Sequence, residues 1–239
     1  MECSVIVPIH NEAGVLPFLQ ARLAGVLRRL PATSEVIYVD DASTDRSGEI
    51  LSGFQRECSF VRVISLETRG GQTEALRKGL EASRGRWVAT LDADLQNPPE
   101  EILKLWREKE GFDYVAGSRR RRQDPWSRRL GSCLAFVVRF IVLSDRIRDA
   151  GCSLKVFKKD VFDEFPFSRN FHCFMSSWVQ CRGFRYKVVP VEHHPRFAGR
   201  SKYSLFLMMT QGWRDLAKFY RFRKSYLEHR NRIFAGYLS

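Results

Sequence analysis

The sequence predicts an α/β fold on a mainly parallel central sheet, followed by C-terminal amphipathic helices. Two observations carry this. Short β-branched runs alternate with longer segments of helical period through the first half of the chain, the pattern of βαβ units. Clusters of acidic and polar residues also follow those runs, where ligands collect at the carboxyl ends of strands in open α/β sheets.

The strand-like runs are residues 3–8, 35–39, 61–65, 87–91 and 114–116. Between them, residues 14–30, 45–58, 72–83 and 99–109 space Leu, Ile, Val, Ala and Phe as helices do. Asp45 stands where an N-cap is expected and Pro99 where a first-turn proline belongs. The second half is less regular. Residues 131–144 predict amphipathic helices, 152–157 and 185–191 strands, and 204–220 a helix carrying Leu205, Met208, Met209, Trp213, Leu216 and Phe219. That stripe reads first as core and second as a membrane contact. The organisation expected is a catalytic domain over residues 1–203 and a basic amphipathic tail over 204–239 that contacts a membrane or a partner.

The 239 residues suffice for one large domain. Forty Lys and Arg against twenty-seven Asp and Glu give a net charge of +13, which favours polyanionic partners: nucleic acid, anionic lipid or phosphorylated substrates. The six cysteines, Cys3, Cys58, Cys133, Cys152, Cys173 and Cys181, form no CxxC pair and read as reduced thiols of a cytoplasmic protein. Met1 runs straight into a strand-like segment, so no leader is expected. The longest apolar stretch, residues 133–143, is broken by Arg139 and is shorter than the roughly 20 residues that span a bilayer.

The strand ends hold the chemistry. Asp92 and Asp94 flank Ala93 after the fourth run, with Gln96 close behind. Such a pair offers oxygens to a hard cation, Mg²⁺ or Mn²⁺, which keeps open positions for substrate phosphates. The plainer reading is that both merely cap the loop before Pro98-Pro99. Asp94 reads as an exposed acid. Asp40 and Asp41 end the second run and suit hydrogen bonds from a base or ribose; the plainer reading is an Asx turn. Glu12 after the first run doubles as a first-turn helix acid. No GxGxxG follows that run, which argues against pyrophosphate binding at a helix N-terminus. Arg119 closes the fifth run, and Arg196 and Lys202 lie in a basic loop around Gly199. A phosphate acceptor is already anionic and needs no general base, but it does need cations that hold two phosphates together. His193-His194 invites a metal reading, yet neighbours in extended chain point opposite ways, so at least one is structural.

With these residues assembled, the chain resembles the family 2 glycosyltransferases of the GT-A fold, in the branch that uses polyprenyl phosphates. The resemblance rests on Val7-Pro8 with Asn11-Glu12, Asp40-Asp41-Ala42-Ser43-Thr44-Asp45, Gly71-Gln72, Leu91-Asp92-Ala93-Asp94-Leu95-Gln96-Asn97-Pro98-Pro99-Glu100-Glu101, Gly111-Phe112-Asp113, Asp149-Ala150-Gly151-Cys152 and Gly199-Arg200-Ser201-Lys202-Tyr203-Ser204. It implies that Pro8, His10, Glu12, Val39, Asp41, Asp92 and Ala93 bind the nucleotide. It implies Asp92, Asp94 and Gln96 as metal ligands, and Arg119, Arg196, Lys202 and Asp149 in the transfer itself. The implied reaction is an inverting transfer from a nucleotide diphosphate sugar, with UDP favoured, to a polyprenyl-phosphate lipid. A GDP-mannose-dependent enzyme like dolichyl-phosphate mannose synthase, or a transferase to another cell-envelope acceptor, is the alternative. His10 stands where the family often has tyrosine, Ala42 where it usually has glycine, and Arg69-Gly70 where Asn-Tyr is frequent.

Bacterial relatives commonly continue into membrane-spanning helices after the SKYS block. This chain instead has a basic tail and is closer to short forms that lie on the membrane or dock onto an integral membrane subunit. The expected place is the cytoplasmic face of a membrane. There Arg139, Arg214, Lys218, Arg221, Arg223, Lys224, Arg230 and Arg232, interleaved with aromatic rings, meet anionic lipid. A nucleic-acid-binding protein, suggested by the +13 charge and the run of arginines at 119–122, is disfavoured. Acids clustered at one sheet edge would repel a phosphate backbone.

Overall fold

The computed structural model describes residues 1–119, 126–168, 170–195 and 205–236, with backbone alone at 126–130, 205–211 and 229–236. Among the described residues a seven-stranded sheet has the order β3-β2-β1-β4-β6-β5-β7. The strands are β1 (Cys3–Ile9), β2 (Ser34–Asp40), β3 (Val61–Ser65), β4 (Trp87–Thr90), β5 (Tyr114–Arg119), β6 (Lys155–Lys158) and β7 (Tyr186–Val191). The helices are α1 (Leu16–Leu27), α2 (Ser47–Glu57), α3 (Gln72–Ala82), α4 (Glu101–Arg107), α5 (Trp126–Leu143), α6 (Met175–Cys181) and α7 (Leu205–Gly236).

The first four strands are parallel, and β5 pairs in parallel with β7. The insertion of β6, antiparallel to both β4 and β5, was not anticipated by the alternation of runs. Its effect is to leave β4 and β5 pointing the same way, so that the residues after β1, β2, β4 and β5 all emerge at one edge. That edge is the expected site.

Alternation along the buried strands divides the core into two layers. Val5, Val7, Val36 and Ala89 face Leu16, Leu19, Leu23, Leu51, Ile102 and Leu105 of α1, α2 and α4. Ile6, Ile37, Val88 and Phe157 face Leu76 and Leu80 of α3, Trp178 of α6 and Leu216 and Phe219 of α7. With both faces covered, the strands carry the near-continuous apolar sequence of a parallel sheet. Helix α3 lies so close to β1 that a Cβ on Gly79 would stand 2.4 Å from Ile6 Cγ2.

The helical segment expected at 204–220 extends to Gly236, because no glycine or proline interrupts residues 213–235. Its aromatic residues divide between two roles. Phe219 is fully buried, stacked 4.9 Å from Phe174, and Tyr226 packs edge-on against Trp178 at 5.1 Å. These rings are core, whereas Trp213 and Tyr220 are exposed. Arg139 is likewise not a lipid-facing cation. Its Nε lies 3.1 Å from Asp145 Oδ2, and Asp145, fully buried, also accepts from Ser177 Oγ (2.7 Å), Gln180 Nε2 (2.7 Å) and the Ile147 N–H (2.9 Å). A buried carboxylate needs a counter-ion, and the apolar stretch supplies it inward. On the other side of α5, Leu134, Val137, Phe140 and Ile141 are exposed.

Glu35 ties β1, β2 and β3 together at the opposite, amino end of the sheet. It accepts from Ser4 Oγ at 2.7 Å, the Arg84 N–H at 2.9 Å and Arg62 Nη1 at 3.1 Å. Burial alone would raise its pKa, but these three donors and the Arg62 charge outweigh it and hold the carboxyl below the usual range. A depressed folded value means that its stabilisation is present above the unfolded value of about 4.3 and is lost as pH falls through the folded value. Thermal melts from pH 3 to 7 should therefore show Glu35→Gln less stable than wild type near neutrality and flatter with pH below about 4.3. Equal acid slopes for the two proteins would contradict this role.

Candidate functional site

Three of the strand ends at the functional edge turn through a left-handed, non-glycine residue: Asn11 (φ 56°) after β1, Ala42 (φ 50°) after β2 and Leu95 (φ 57°) after β4. Each costs of order 1 kcal/mol, and such strain gathers where surrounding contacts fix it for a purpose. The contacts are present. Asn11 Oδ1 accepts from the Thr44 N–H at 2.7 Å, joining the first two turns, and the Asp40 carboxylate accepts from the Ser43 N–H at 3.0 Å. Asp45 accepts from the N–H groups of Ser47 (2.9 Å) and Ala13 (3.1 Å). The N-cap of α2 is Arg46, one residue later than expected, so Asp45 holds the first N–H of the helix from just outside it and braces the β1 turn.

Pro8 and Val39 are register partners on β1 and β2, with His10 and Asp41 just beyond them. His10 Nδ1 is 2.8 Å from the Asp41 carbonyl oxygen. The Glu12 N–H donates to Ser47 Oγ at 2.9 Å. Asp41 is buried, and its carboxylate accepts from the N–H groups of Gly70 (2.6 Å) and Gly71 (3.0 Å). Gly71, at φ 82°, opens α3 in a conformation suited to glycine. Asp41 thus organises the loop that delivers Gln72, whose Nε2 donates to Asp92 Oδ1 at 2.8 Å.

The acidic pair stands at the centre. Asp92 follows β4, its N–H donating to Ser153 Oγ at 3.2 Å. Asp94 is buried at 8% exposure, which corrects the reading of an exposed acid. Its carboxylate accepts from the Gln96 N–H at 3.1 Å, closing the turn that Leu95 makes into the core. Gln96 is fastened in turn by the His194 N–H, which donates to its carbonyl at 2.8 Å. Burial, and then the neighbouring charge of Asp94, raise the Asp92 pKa to about 6. Two crowded carboxylates that resist joint ionisation, beside a neutral amide, make a donor set that suits a hard divalent cation. The residues present therefore fit Mg²⁺ or Mn²⁺.

Arg119 and Asp149 form one unit. The guanidinium donates through Nε (2.9 Å) and Nη2 (2.6 Å) to the two carboxylate oxygens, and the Arg119 N–H adds a bond at 2.9 Å. This bidentate pair fixes the arginine at the end of β5. From Asp149 the chain runs through Ser153, whose carbonyl accepts from Thr90 Oγ1 at 2.6 Å, into β6, so this loop spans the ends of β4 and β5.

Sequence reasoning missed Ser153, Lys155, Thr73 and His172. Lys155 is buried, its ammonium donates to the Cys152 carbonyl, and burial lowers its pKa against the pull of Cys152, Asp92 and Asp149. A lysine inside an apolar strand was a legible signal. His172 was not, because its partner Thr73 lies 99 positions away. His193 is buried and His194 exposed, as opposite-facing neighbours should be. Arg196 and Lys202, and the loop around Gly199, lie outside the described residues, as do Arg120, Arg121 and Arg122.

The sheet order puts these acidic and basic strand ends at one ligand-collecting edge of an α/β sheet, and comparisons with known proteins assign the family. Residues 4–165 match the model for glycosyl transferase family 2, and the chain belongs to that family. It is 36% identical over 211 residues to undecaprenyl-phosphate 4-deoxy-4-formamido-L-arabinose transferase of Pseudomonas aeruginosa, covering 87% of this chain and 62% of that one. It is 33% identical over 211 residues to dodecaprenyl-phosphate galacturonate synthase of Rhizobium johnstonii, covering 86% and 62%. The chain therefore spans less than two thirds of the length of these curated relatives. Among solved structures, glucosyl-3-phosphoglycerate synthase from Mycobacterium tuberculosis, in complex with Mn²⁺, UDP and phosphoglyceric acid, superimposes with a TM-score of 0.65 at 18% identity. That match covers 84% of this chain and 72% of that one. The fold is GT-A.

Removing the Asp41 carboxylate leaves two amides without their acceptor. Asp41→Ala should cost about 1–3 kcal/mol and speed hydrogen exchange at Gly70 and Gly71 by at least about tenfold, with Asp41→Asn intermediate. Unchanged protection of those amides would show that the loop is held by something else.

Proposed function

We propose that the protein transfers a glycosyl group from a nucleotide diphosphate sugar, UDP-linked by preference, to a polyprenyl-phosphate lipid at a membrane surface. The observation that carries the reading is the gathering of Asp92, Asp94 and Gln96 with Asp41 and Arg119 at one sheet edge of a family 2 chain. Two relatives at 33–36% identity support the acceptor: by name, they handle different sugars and share a polyprenyl phosphate.

In this reading Pro8, His10, Glu12, Val39, Asp41 and Ala93 surround the nucleoside, while Asp92, Asp94 and Gln96 hold Mg²⁺ or Mn²⁺. A cation held there would supply positive charge to offset that of the departing diphosphate. An oxygen of the acceptor phosphate attacks the anomeric carbon from the opposite face, so the configuration inverts and no general base is required. Arg119, held by Asp149, is a preorganised cation for a phosphate group, which lowers the cost of orienting it during transfer. Arg196 and Lys202 take the remaining phosphate contacts.

Peripheral attachment is supported by the exposed face of Leu134, Val137, Phe140 and Ile141 on α5. On α7, exposed Trp213 and Tyr220 stand among exposed Arg214, Lys218 and Arg221. Among the described residues no helix is long and apolar enough to cross a membrane. Rings at the headgroup level and cations beside anionic lipid suit reversible binding, each cation contributing about 1 kcal/mol. The six free thiols fit the reducing conditions of the cytoplasmic face, and an integral membrane subunit is a further candidate partner.

The test is transfer from UDP-sugars to polyprenyl phosphate in anionic vesicles. Because Asp94 is buried and hydrogen-bonded, the variant of choice is Asp94→Asn, which keeps an acceptor for the Gln96 N–H. Both EDTA and Asp94→Asn should reduce turnover by at least about 100-fold with little change in melting temperature, and activity should sediment with the vesicles. Full turnover in EDTA would overturn the metal role. Equal turnover on a water-soluble phosphate, with no vesicle binding, would overturn the lipid.

A further inference from the structure

The six cysteines are chemically unequal. Cys3 and Cys152 are buried, and burial followed by neighbouring acids pushes their thiols up to about 12 and about 11, which makes them inert. Cys58 and Cys181 are half-buried, and the Cys58 sulfur lies 3.5 Å from Gln20 Nε2. Cys133 and Cys173 are exposed. Of these two, Cys173 has an imidazole beside it: its Sγ is 3.4 Å from Nε2 of His172.

That imidazole is anchored toward the candidate site. His172 Nδ1 is 2.8 Å from Thr73 Oγ1, and the His172 N–H donates to the same oxygen at 3.3 Å. Thr73 sits in the first turn of α3 beside Gln72, which bonds Asp92. A continuous line of contacts thus runs from the sulfur of an exposed residue to the acidic pair. Crowding of the sulfur would raise its pKa, but the His172 charge and hydrogen bond, with Arg139 of α5 and Lys155 of β6, outweigh this and bring it down. Burial would lower the pKa of His172, yet Cys173 and Asp92 together leave it raised, so the pair favours thiolate beside imidazolium.

We propose that Cys173 is a modification site: its sulfur reacts with soft electrophiles and peroxides ahead of the other five thiols, and an adduct there obstructs glycosyl transfer. The second half rests on the transferase reading. In alkylation the sulfur bonds to the electrophilic carbon, the leaving group departs with its electron pair, and the thiol proton passes through His172 to solvent. With hydrogen peroxide an S–O bond forms as the O–O bond breaks; sulfur is oxidised to sulfenic acid and the peroxide is reduced to water.

Iodoacetamide labelling of the intact protein from pH 6 to 8, mapped by peptide mass spectrometry, tests the proposal. At pH 7 Cys173 should be labelled at least about tenfold faster than Cys133 and should keep its rate to lower pH. His172→Gln should bring the two rates within about twofold, and the wild-type pH–rate profile serves if that variant does not fold. The labelled enzyme should lose transfer in proportion to the adduct, while Cys173→Ser keeps transfer and withstands both reagents. Equal labelling of Cys133 and Cys173 in the folded protein, or full turnover by a stoichiometric Cys173 adduct, overturns the proposal. A protein that transfers no sugar before labelling fails the transferase reading instead, and the labelling rates then decide the thiol assignment alone.

Discussion

The organisation of this protein follows from the cost of collecting carboxylates at one edge of a buried sheet. A carboxylate drawn out of water has to be hydrogen-bonded, paired or relieved of its charge, and four of them, Asp92 half-buried and the others buried, are answered in different ways. Asp41 is held by backbone amides of the loop before α3, and Asp149 by the fork of Arg119. Asp92 accepts from Gln72, Asp94 accepts from the Gln96 amide, and the two press on one another. The pair left in electrostatic tension is the one that the proposed reading gives to a cation.

Each answer recruits a separate stretch of chain. The Asp41 contacts set Gly70 and Gly71, which set Gln72, and Gln72 reaches Asp92. The loop into β6 binds Arg119 at one end through Asp149 and Asp92 at the other through Ser153. Antiparallel β6 therefore lets one segment brace both strand ends and bring the buried Lys155 to the same neighbourhood. In the proposed reading, a nucleotide at this edge would meet Asp41, Asp92 and Arg119 already held by these bonds.

Much of this was legible in the sequence because the signals were local. The β1–β4 runs, the helices between them and the acids after them are read from periodicity and turn chemistry, and Asp92, Asp94 and Gln96 lie within five residues. What escaped was set by distant contacts. The antiparallel course of β6 leaves no mark on its own apolar pattern, and the burial of Asp94 depends on how the turn at Leu95 folds back. Arg139 looked like a cation interrupting a membrane-facing face, and Asp145, which claims it, gave no local hint. The aromatic residues of α7 likewise divided between core and surface according to a partner, Trp178, that lies far away in sequence.

The central claim is that one site serves a divalent cation and a nucleotide diphosphate together. Calorimetric titration of UDP into the protein with and without Mn²⁺ tests it most directly, because any factor by which the cation tightens UDP binding must be returned equally by UDP to the cation. The account predicts at least about tenfold tighter UDP binding in Mn²⁺, and an equal gain for Mn²⁺ in UDP. Identical UDP affinity in the presence and absence of the cation would contradict it.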